Sequence, residues 1–300
     1  MTRAKHNTQN VDCRICGGEV RTTRVSEPIE HRRKRPVLPS DRYTLGVCKN
    51  CGLAQITFDV EQSYLDEAYS AESEALILEI TGRAPSELSE ARTPEFQRVL
   101  DLVAQFLSPQ SVEGRTLLDI GCQDGRLLAL ARERGFRVAG LEPSTEYAAA
   151  ARLRLPEADI VTGVLGDSAM ANPADVVVFL ETLEHIADPR GALAHVRALA
   201  VHDGLIVISV PSWTYFKVKS IVFRVLRRPV SQIHTHITCF SRASMREVAS
   251  LVGAKLEYLE PTGWHGRFQF ANGIVRRASR VGIPFLRDFA PSLTVVIRAS

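Results

Sequence analysis

No hydrophobic run in this 300-residue chain approaches the roughly 20 residues that a membrane-spanning helix needs. The first ten residues, MTRAKHNTQN, are polar and lack the apolar centre of a secretion signal, so a cytoplasmic, reducing compartment is expected. Neither an internal repeat nor a low-complexity tract is visible. Charge is nearly balanced as well: 37 Lys+Arg against 34 Asp+Glu leaves +3, too little to demand a nucleic-acid partner. One absence is local. From Gly204 to Arg246 there is no Asp or Glu, while Lys217, Lys219, Arg224, Arg227, Arg228, Arg242 and Arg246 all fall there. The remaining composition, 45% hydrophobic and 24% charged, is that of a soluble globular protein.

Four of the six cysteines fall in two matching C-x-x-C-G knuckles, Cys13–Gly17 and Cys48–Gly52, with 31 residues between Cys16 and Cys48. Each knuckle can present two thiolates to one metal, and the following glycine lets backbone N–H groups turn toward sulfur. Together Cys13, Cys16, Cys48 and Cys51 make a tetrahedral zinc site, which stabilises a segment too small for a core of its own. Disulfides, redox chemistry and unrelated buried thiols are the competing readings; the polar amino terminus speaks against the first and the duplicated knuckle against the second. Cys122 and Cys239 read as small buried residues.

The stretch Leu117–Phe136, LLDIGCQDGRLLALARERGF, is strand, glycine turn and helix in succession. The apolar strand ends in Asp119, the turn runs through Gly121 and Gly125, and Leu127, Leu128, Leu130 and Ala131 share one helix face. A second apolar strand, Phe136–Leu141, ends in Glu142, where a carboxylate can accept hydrogen bonds from a ribose hydroxyl pair. The turn reads D-x-G-x-x-x-G, not the G-x-G-x-x-G of a dinucleotide site, and holds Gln123 and Asp124. An acidic turn suits a ligand with an ammonium and a sulfonium better than one with phosphates.

Alternation then continues. Ser144 caps a helix over Thr145–Arg154, and Asp175–Leu180 is a buried strand followed by ETLEHIADP. Asp188 and Pro189 open the helix Pro189–Ala200, Leu205–Val210 is another strand, and a helix over Arg242–Val252 precedes strands at Lys255–Leu259 and Leu293–Arg298. The fold class expected is α/β: a Rossmann-like, mainly parallel seven-stranded sheet with helices on both faces, preceded by the small four-cysteine zinc-binding module. The expected division is a disordered tail over 1–12, the zinc-binding module over 13–60, a helical linker with a cofactor-covering helix from Thr93 over 61–110, and the sheet domain over 111–300.

The Asp119 turn resembles motif I of class I S-adenosylmethionine-dependent methyltransferases, with Gln123 where the commonest form has a middle glycine. Glu142, in GLEPS, resembles their ribose-binding acid. With the zinc segment in front and Glu184-His185 after the fourth strand, the chain is similar to zinc-containing C-methyltransferases of deoxysugar biosynthesis and to shorter relatives in polysaccharide and secondary-metabolite clusters. The resemblance implies a cofactor site formed by Asp119, Gly121, Cys122, Gly125, Glu142, Pro143 and Glu181. A carbon or oxygen acceptor must also lose a proton. His185 is the first candidate base, oriented by Glu184 or Glu181, with His234 and His236 in reserve. Trp213, Tyr215, Trp264 and His265 are candidates for the acceptor pocket.

The acid-free stretch reads either as a solvated basic face or as a rim around Arg224 that holds an anionic small-molecule acceptor, such as a sugar nucleotide or a lipid-linked phosphate. Peripheral membrane contact through 215–228 is compatible with its mixed aromatic and basic character. Two other functions stay open: an RNA methyltransferase gripping RNA with the zinc module and basic stretch, and a non-catalytic S-adenosylmethionine-binding scaffold.

Overall fold

The computed structural model describes residues 11–22, 27–28, 42–63, 65, 85–166, 172–225, 236–262 and 290–300. Its main body is a seven-stranded sheet that begins where the apolar runs begin. β6 (Thr116–Ile120) lies centrally, beside β7 (Arg137–Glu142) and then β8 (Asp159–Thr162) on one side. On the other side lie β9 (Ala174–Leu180), β10 (Ala200–Pro211), β13 (Ser292–Ala299) and β12 (Ala254–Thr262) in that order. The first five run parallel, and β13 is antiparallel to both neighbours. The mainly parallel sheet expected from the sequence is therefore present, and its central strands are buried on both faces, as their unbroken Val, Ile and Leu runs require.

Helices cover the two faces. α2 (Thr93–Leu107), α3 (Arg126–Glu133) and α4 (Thr145–Arg154) supply one core, in which Phe96, Leu100 and Val103 meet Leu117, Leu128 and Val178. A short α1 (Pro85–Ala91) precedes them. On the opposite face α5 (Pro189–Ala198) and α7 (Arg242–Leu251) bring Leu193, Val196, Met245 and Val248 onto Leu118, Phe179 and Ile206. Local chemistry sets the helix starts. Ser144 accepts from the Tyr147 N–H, Asp188 from the Gly191 N–H, and Ser241 with Ser244 closes a capping box that the sequence reading left unremarked. α6 (Trp213–Val225) follows β10. Among the described residues no helix is long and apolar enough to cross a membrane.

The cysteine segment builds a second sheet in the order β1 (Val20–Thr22), β4 (Leu45–Cys48), β5 (Ala54–Ile56) and β11 (Thr238–Cys239). A two-stranded ribbon, β2 (Glu27–Pro28) with β3 (Arg42–Tyr43), lies between the knuckles in sequence. β11 comes from the far end of the chain, so backbone pairing crosses the boundary expected near residue 60. Packing crosses it too: Cys13, Ile15, Cys48, Cys51 and Leu53 belong to the same apolar core as Leu118, Phe179 and Leu193.

Candidate functional site

The site is assembled at the carboxyl ends of β6, β7 and β9, the edge where ligands of open α/β sheets bind. The turn after β6 needs left-handed backbone at three residues, Gly121 (φ 81°), Gln123 (φ 48°) and Gly125 (φ 73°). Gln123 thus adopts a glycine-like conformation at the very position where the resembled motif has glycine, at a cost of about 1–2 kcal/mol. Its N–H donates to Glu142 Oε2 at 2.9 Å, while the Ser144 N–H donates to Oε1 at 2.9 Å. Both oxygens of the buried Glu142 are therefore fixed in direction around Pro143.

Gly121 is required by a neighbour. A Cβ there would lie 2.6 Å from Thr182 Oγ1, whose hydroxyl is within hydrogen-bonding reach of the Ile120 and Leu180 carbonyls. A Cβ at Gly125 would meet Ala151 of α4 at 3.2 Å. Cys122 turns its thiol beneath the turn toward Gly140 and Leu128, and its N–H donates to the Leu141 carbonyl at 3.2 Å. Burial pushes that thiol well above its ordinary range.

The acidic character of the turn differs from expectation. Asp124 is neutralised, with Oδ2 2.7 Å from Arg154 Nη2 and Oδ1 accepting from Ser89 Oγ at 2.8 Å. The acids left around the site are Asp119, Glu142 and Glu181. Burial, opposed by Arg92 and reinforced by Glu142, raises Asp119 to about 7. Burial raises Glu142 and, with Glu95, Glu181. Glu181 stands just beyond β9 at φ 52° and accepts from Ser209 Oγ at 3.2 Å.

Arg92 is a further candidate site residue, one that the sequence did not single out. Its Nε donates to Glu95 Oε2 at 3.0 Å and its guanidinium lies 4.9 Å from the Phe96 ring centroid. Burial disfavours its charge, but Glu95 first, then Glu181 and Asp119, outweigh this and raise it above its ordinary value. Nη2 is buried without a hydrogen-bond partner among the described residues. The available signal was the Arg92–Glu95 spacing ahead of a helix bearing Pro94, in a segment otherwise read as linker.

A second cluster sits one turn beyond Glu181. Glu184, on the 3-10 turn Leu183–His185, is fully buried, and neither carboxylate oxygen has a hydrogen-bond partner among the described residues. Its Oε1 lies 3.9 Å from His185 Nε2 and 3.8 Å from His236 Nε2, and the two imidazoles meet edge to face with centroids 4.8 Å apart. Burial and then Glu181 push Glu184 well above the carboxylate range; burial and then His185 push His236 well below the histidine range. His185, Glu184 and His236 are thus brought together. His236 is held there by the chain after it: the Ile237 N–H donates to the Glu184 carbonyl, and the Ile237 carbonyl accepts from the Ile56 N–H of β5.

The four knuckle sulfurs also converge. Cys13 and Cys51 Sγ are 3.5 Å apart, as are Cys16 and Cys48 Sγ, and all four lie within 4.8 Å of one another. Zinc–sulfur bonds of about 2.3 Å set a tetrahedral edge of about 3.8 Å, so these spacings fit one ion. The Cys16 N–H reaches Cys13 Sγ at 3.5 Å and the Asn50 N–H reaches Cys48 Sγ at 3.4 Å, with Gly17 and Gly52 at positive φ, as the knuckle sequence requires.

Of the acceptor-pocket candidates, half-buried Trp213 packs with Leu45, Ile56 and Ile237, and half-buried Tyr215 meets Phe216 edge to face at 5.6 Å. Arg224 lies in the last turn of α6, its side chain outside the described residues, as are His234, Arg227, Arg228, Trp264 and His265.

Residues 91–259 match the family model described as a methyltransferase domain. This chain belongs to that methyltransferase family. It is similar to the ubiquinone biosynthesis O-methyltransferase of Alkalilimnicola ehrlichii, 34% identical over 117 residues that cover 37% of this chain and 46% of the relative. The counterpart from Cereibacter sphaeroides is 32% identical over 107 residues, 34% of this chain and 43% of the relative. The chain thus spans about half the length of the curated relatives it matches. Among solved structures, magnesium protoporphyrin IX methyltransferase from Synechocystis PCC 6803, with bound S-adenosylhomocysteine, superposes with a TM-score of 0.56. That alignment covers 80% of this chain and 100% of the other, and its 15% identity speaks to the fold alone.

Proposed function

We propose that this protein transfers a methyl group from S-adenosylmethionine to oxygen or carbon of a small, anionic acceptor. A sugar nucleotide, glycolipid or secondary metabolite has the required chemistry. The carrying observation is Glu142, whose two oxygens are aimed by the Gln123 and Ser144 N–H groups. A carboxylate has about four acceptor sites, so two remain for a ribose hydroxyl pair. A ligand ammonium beside Asp119 and Glu181 would favour the ionised forms that burial opposes, and Arg92 Nη2 supplies a charged donor for a carboxylate. The donor contributes a sulfonium-bound methyl group; the protein aligns it with the acceptor. His185, set by Glu184, is the base, with His236 as its neighbour. Cys13, Cys16, Cys48 and Cys51 hold structural zinc. The curated relatives' names, O-methyltransferases, support an oxygen acceptor. Titration calorimetry tests the reading: S-adenosylhomocysteine should bind, and tighter binding of NAD would overturn it.

A further inference from the structure

The Glu184 cluster has a charge problem that the described residues do not solve. Taking a carboxylate out of water without hydrogen bonds is strongly unfavourable, and neither Glu184 oxygen has a hydrogen-bond partner. The nearest acidic neighbour, Glu181, adds a second negative charge. Two imidazole nitrogens, His185 Nε2 and His236 Nε2, instead converge on the same oxygen from different elements, one from the turn after β9 and one from the residue leading into β11. Three donor atoms, all within 4.8 Å of one another, therefore surround one point.

We propose that Glu184, His185 and His236 bind a divalent first-row transition metal, separate from the four-cysteine zinc, whose open positions take an oxygen of the acceptor. Ligand bonds of about 2.1 Å place donor atoms roughly 3.0–3.4 Å apart. The observed 3.8 and 3.9 Å edges need about 0.4–0.9 Å of closure, and the imidazole–imidazole edge lies within 4.8 Å. Two imidazoles with one carboxylate favour manganese, iron, cobalt or zinc over calcium and magnesium, which prefer all-oxygen sites. Three protein ligands also leave room for further ligands, unlike the closed thiolate site. Such an ion answers both acids at once; with His185 Nε2 bound to it, the ion would take over from His185 as a free base, acting as a Lewis acid that orients an acceptor hydroxyl and increases its acidity. The competing resolution is a proton shared between Glu181 and Glu184, with both histidines neutral.

This proposal rests on the methyltransferase reading for its acceptor, but the ion can be sought without turnover. Mn2+ is the probe because it avoids thiolate sites. Purified full-length protein is titrated with Mn2+ alone, and free ion is read from its paramagnetic resonance signal. One Mn2+ per chain is expected. Glu184→Gln and His236→Ala should each weaken it by more than the roughly 10–100-fold that loss of an outer hydrogen-bond partner costs. Zinc content and S-adenosylhomocysteine affinity should stay unchanged, which also shows that the variants fold. If His236→Ala does not fold, His236→Gln replaces it. No bound Mn2+ in the wild type, or equal binding in folded variants, overturns the site. Failure to bind S-adenosylhomocysteine would instead overturn the function and leave the ion site standing on its own measurement.

Discussion

Glu142→Gln is the sharpest test of the cofactor pocket, because its consequences divide between ligand and fold. The carboxylate accepts two backbone N–H groups at 2.9 Å each, one from the strained Gln123 and one from Ser144. An amide of the same shape offers one oxygen and one NH2, so one of the two backbone donors must face another donor. Losing a hydrogen bond to a charged group costs about 1.5–3 kcal/mol. The same loss applies to the pair of ribose hydroxyls, whose carboxylate acceptor becomes half amide. S-adenosylhomocysteine affinity should therefore fall by roughly 10–150-fold, which is that energy at about 1.4 kcal/mol per tenfold. Independently of ligand, the melting temperature should fall by roughly 3–12 °C, since 1 kcal/mol shifts a domain of this size by about 2–4 °C. Calorimetric titration and scanning calorimetry on one preparation read both numbers. A variant that melts lower but binds normally would refute the ribose assignment and leave Glu142 as a turn clamp. One that binds and melts like the wild type would refute the geometry itself.

Asp119 is held at about 7 against an ordinary 3.8, so the native chain keeps a proton that the unfolded chain has lost. Ligand-free stability should therefore be fully present below the unfolded value and fall as pH rises through about 7, whereas S-adenosylhomocysteine, which brings an ammonium, should bind tighter over the same rise; pH-independent melting and binding would refute this. Gly125→Ala should destabilise the chain by about 2–4 kcal/mol, combining left-handed strain with overpacking against Ala151, and an unchanged melting temperature would contradict it. His185→Gln should lose roughly 10²–10⁴-fold in turnover while S-adenosylhomocysteine binding survives; near-normal turnover would make His185 structural. Cys48→Ser should expose more than residues 13–60. Hydrogen exchange should rise at the Ile237 amide as well, and protection there equal to that of the wild type would show the two sheets to be independent.

Local chemistry was legible in the sequence; long-range pairing was not. The Asp119 turn, Glu142, the Ser144 and Asp188 caps and the four cysteines each announce themselves within a few residues, because strand, turn, cap and knuckle are short-range devices. Six strand positions of the main sheet followed from apolar runs; the edge strand β8 did not, because only Ile160 of its four residues is buried. Arg92 was invisible as a site residue because its meaning comes from Glu95, Asp119 and Glu181 together, which only the fold assembles. Asp124 looked like ligand charge because Arg154, thirty residues on, could not be seen facing it. The close approach of Thr182 to Gly121, from sixty-one residues on, was likewise out of sight in the turn sequence. The meeting of His185 with His236 depends on β11, a two-residue strand with no periodicity to betray it.

That short strand also has a consequence for synthesis. All four cysteines have left the ribosome soon after Cys51, but the partner that completes the β5 edge is residues 238 and 239. At about 5–20 residues per second, the knuckles wait on the order of 10–40 s for their last strand. Through that interval the edge formed by Ala54, Gln55 and Ile56, all buried in the finished protein, presents unpaired backbone and apolar side chains to its surroundings. The zinc proposed for the knuckles would fix them early but would not cover this edge. The segment made first is therefore among the last to be finished, and shortages of zinc or of chaperone capacity should show themselves first as aggregation of chains stalled before residue 238.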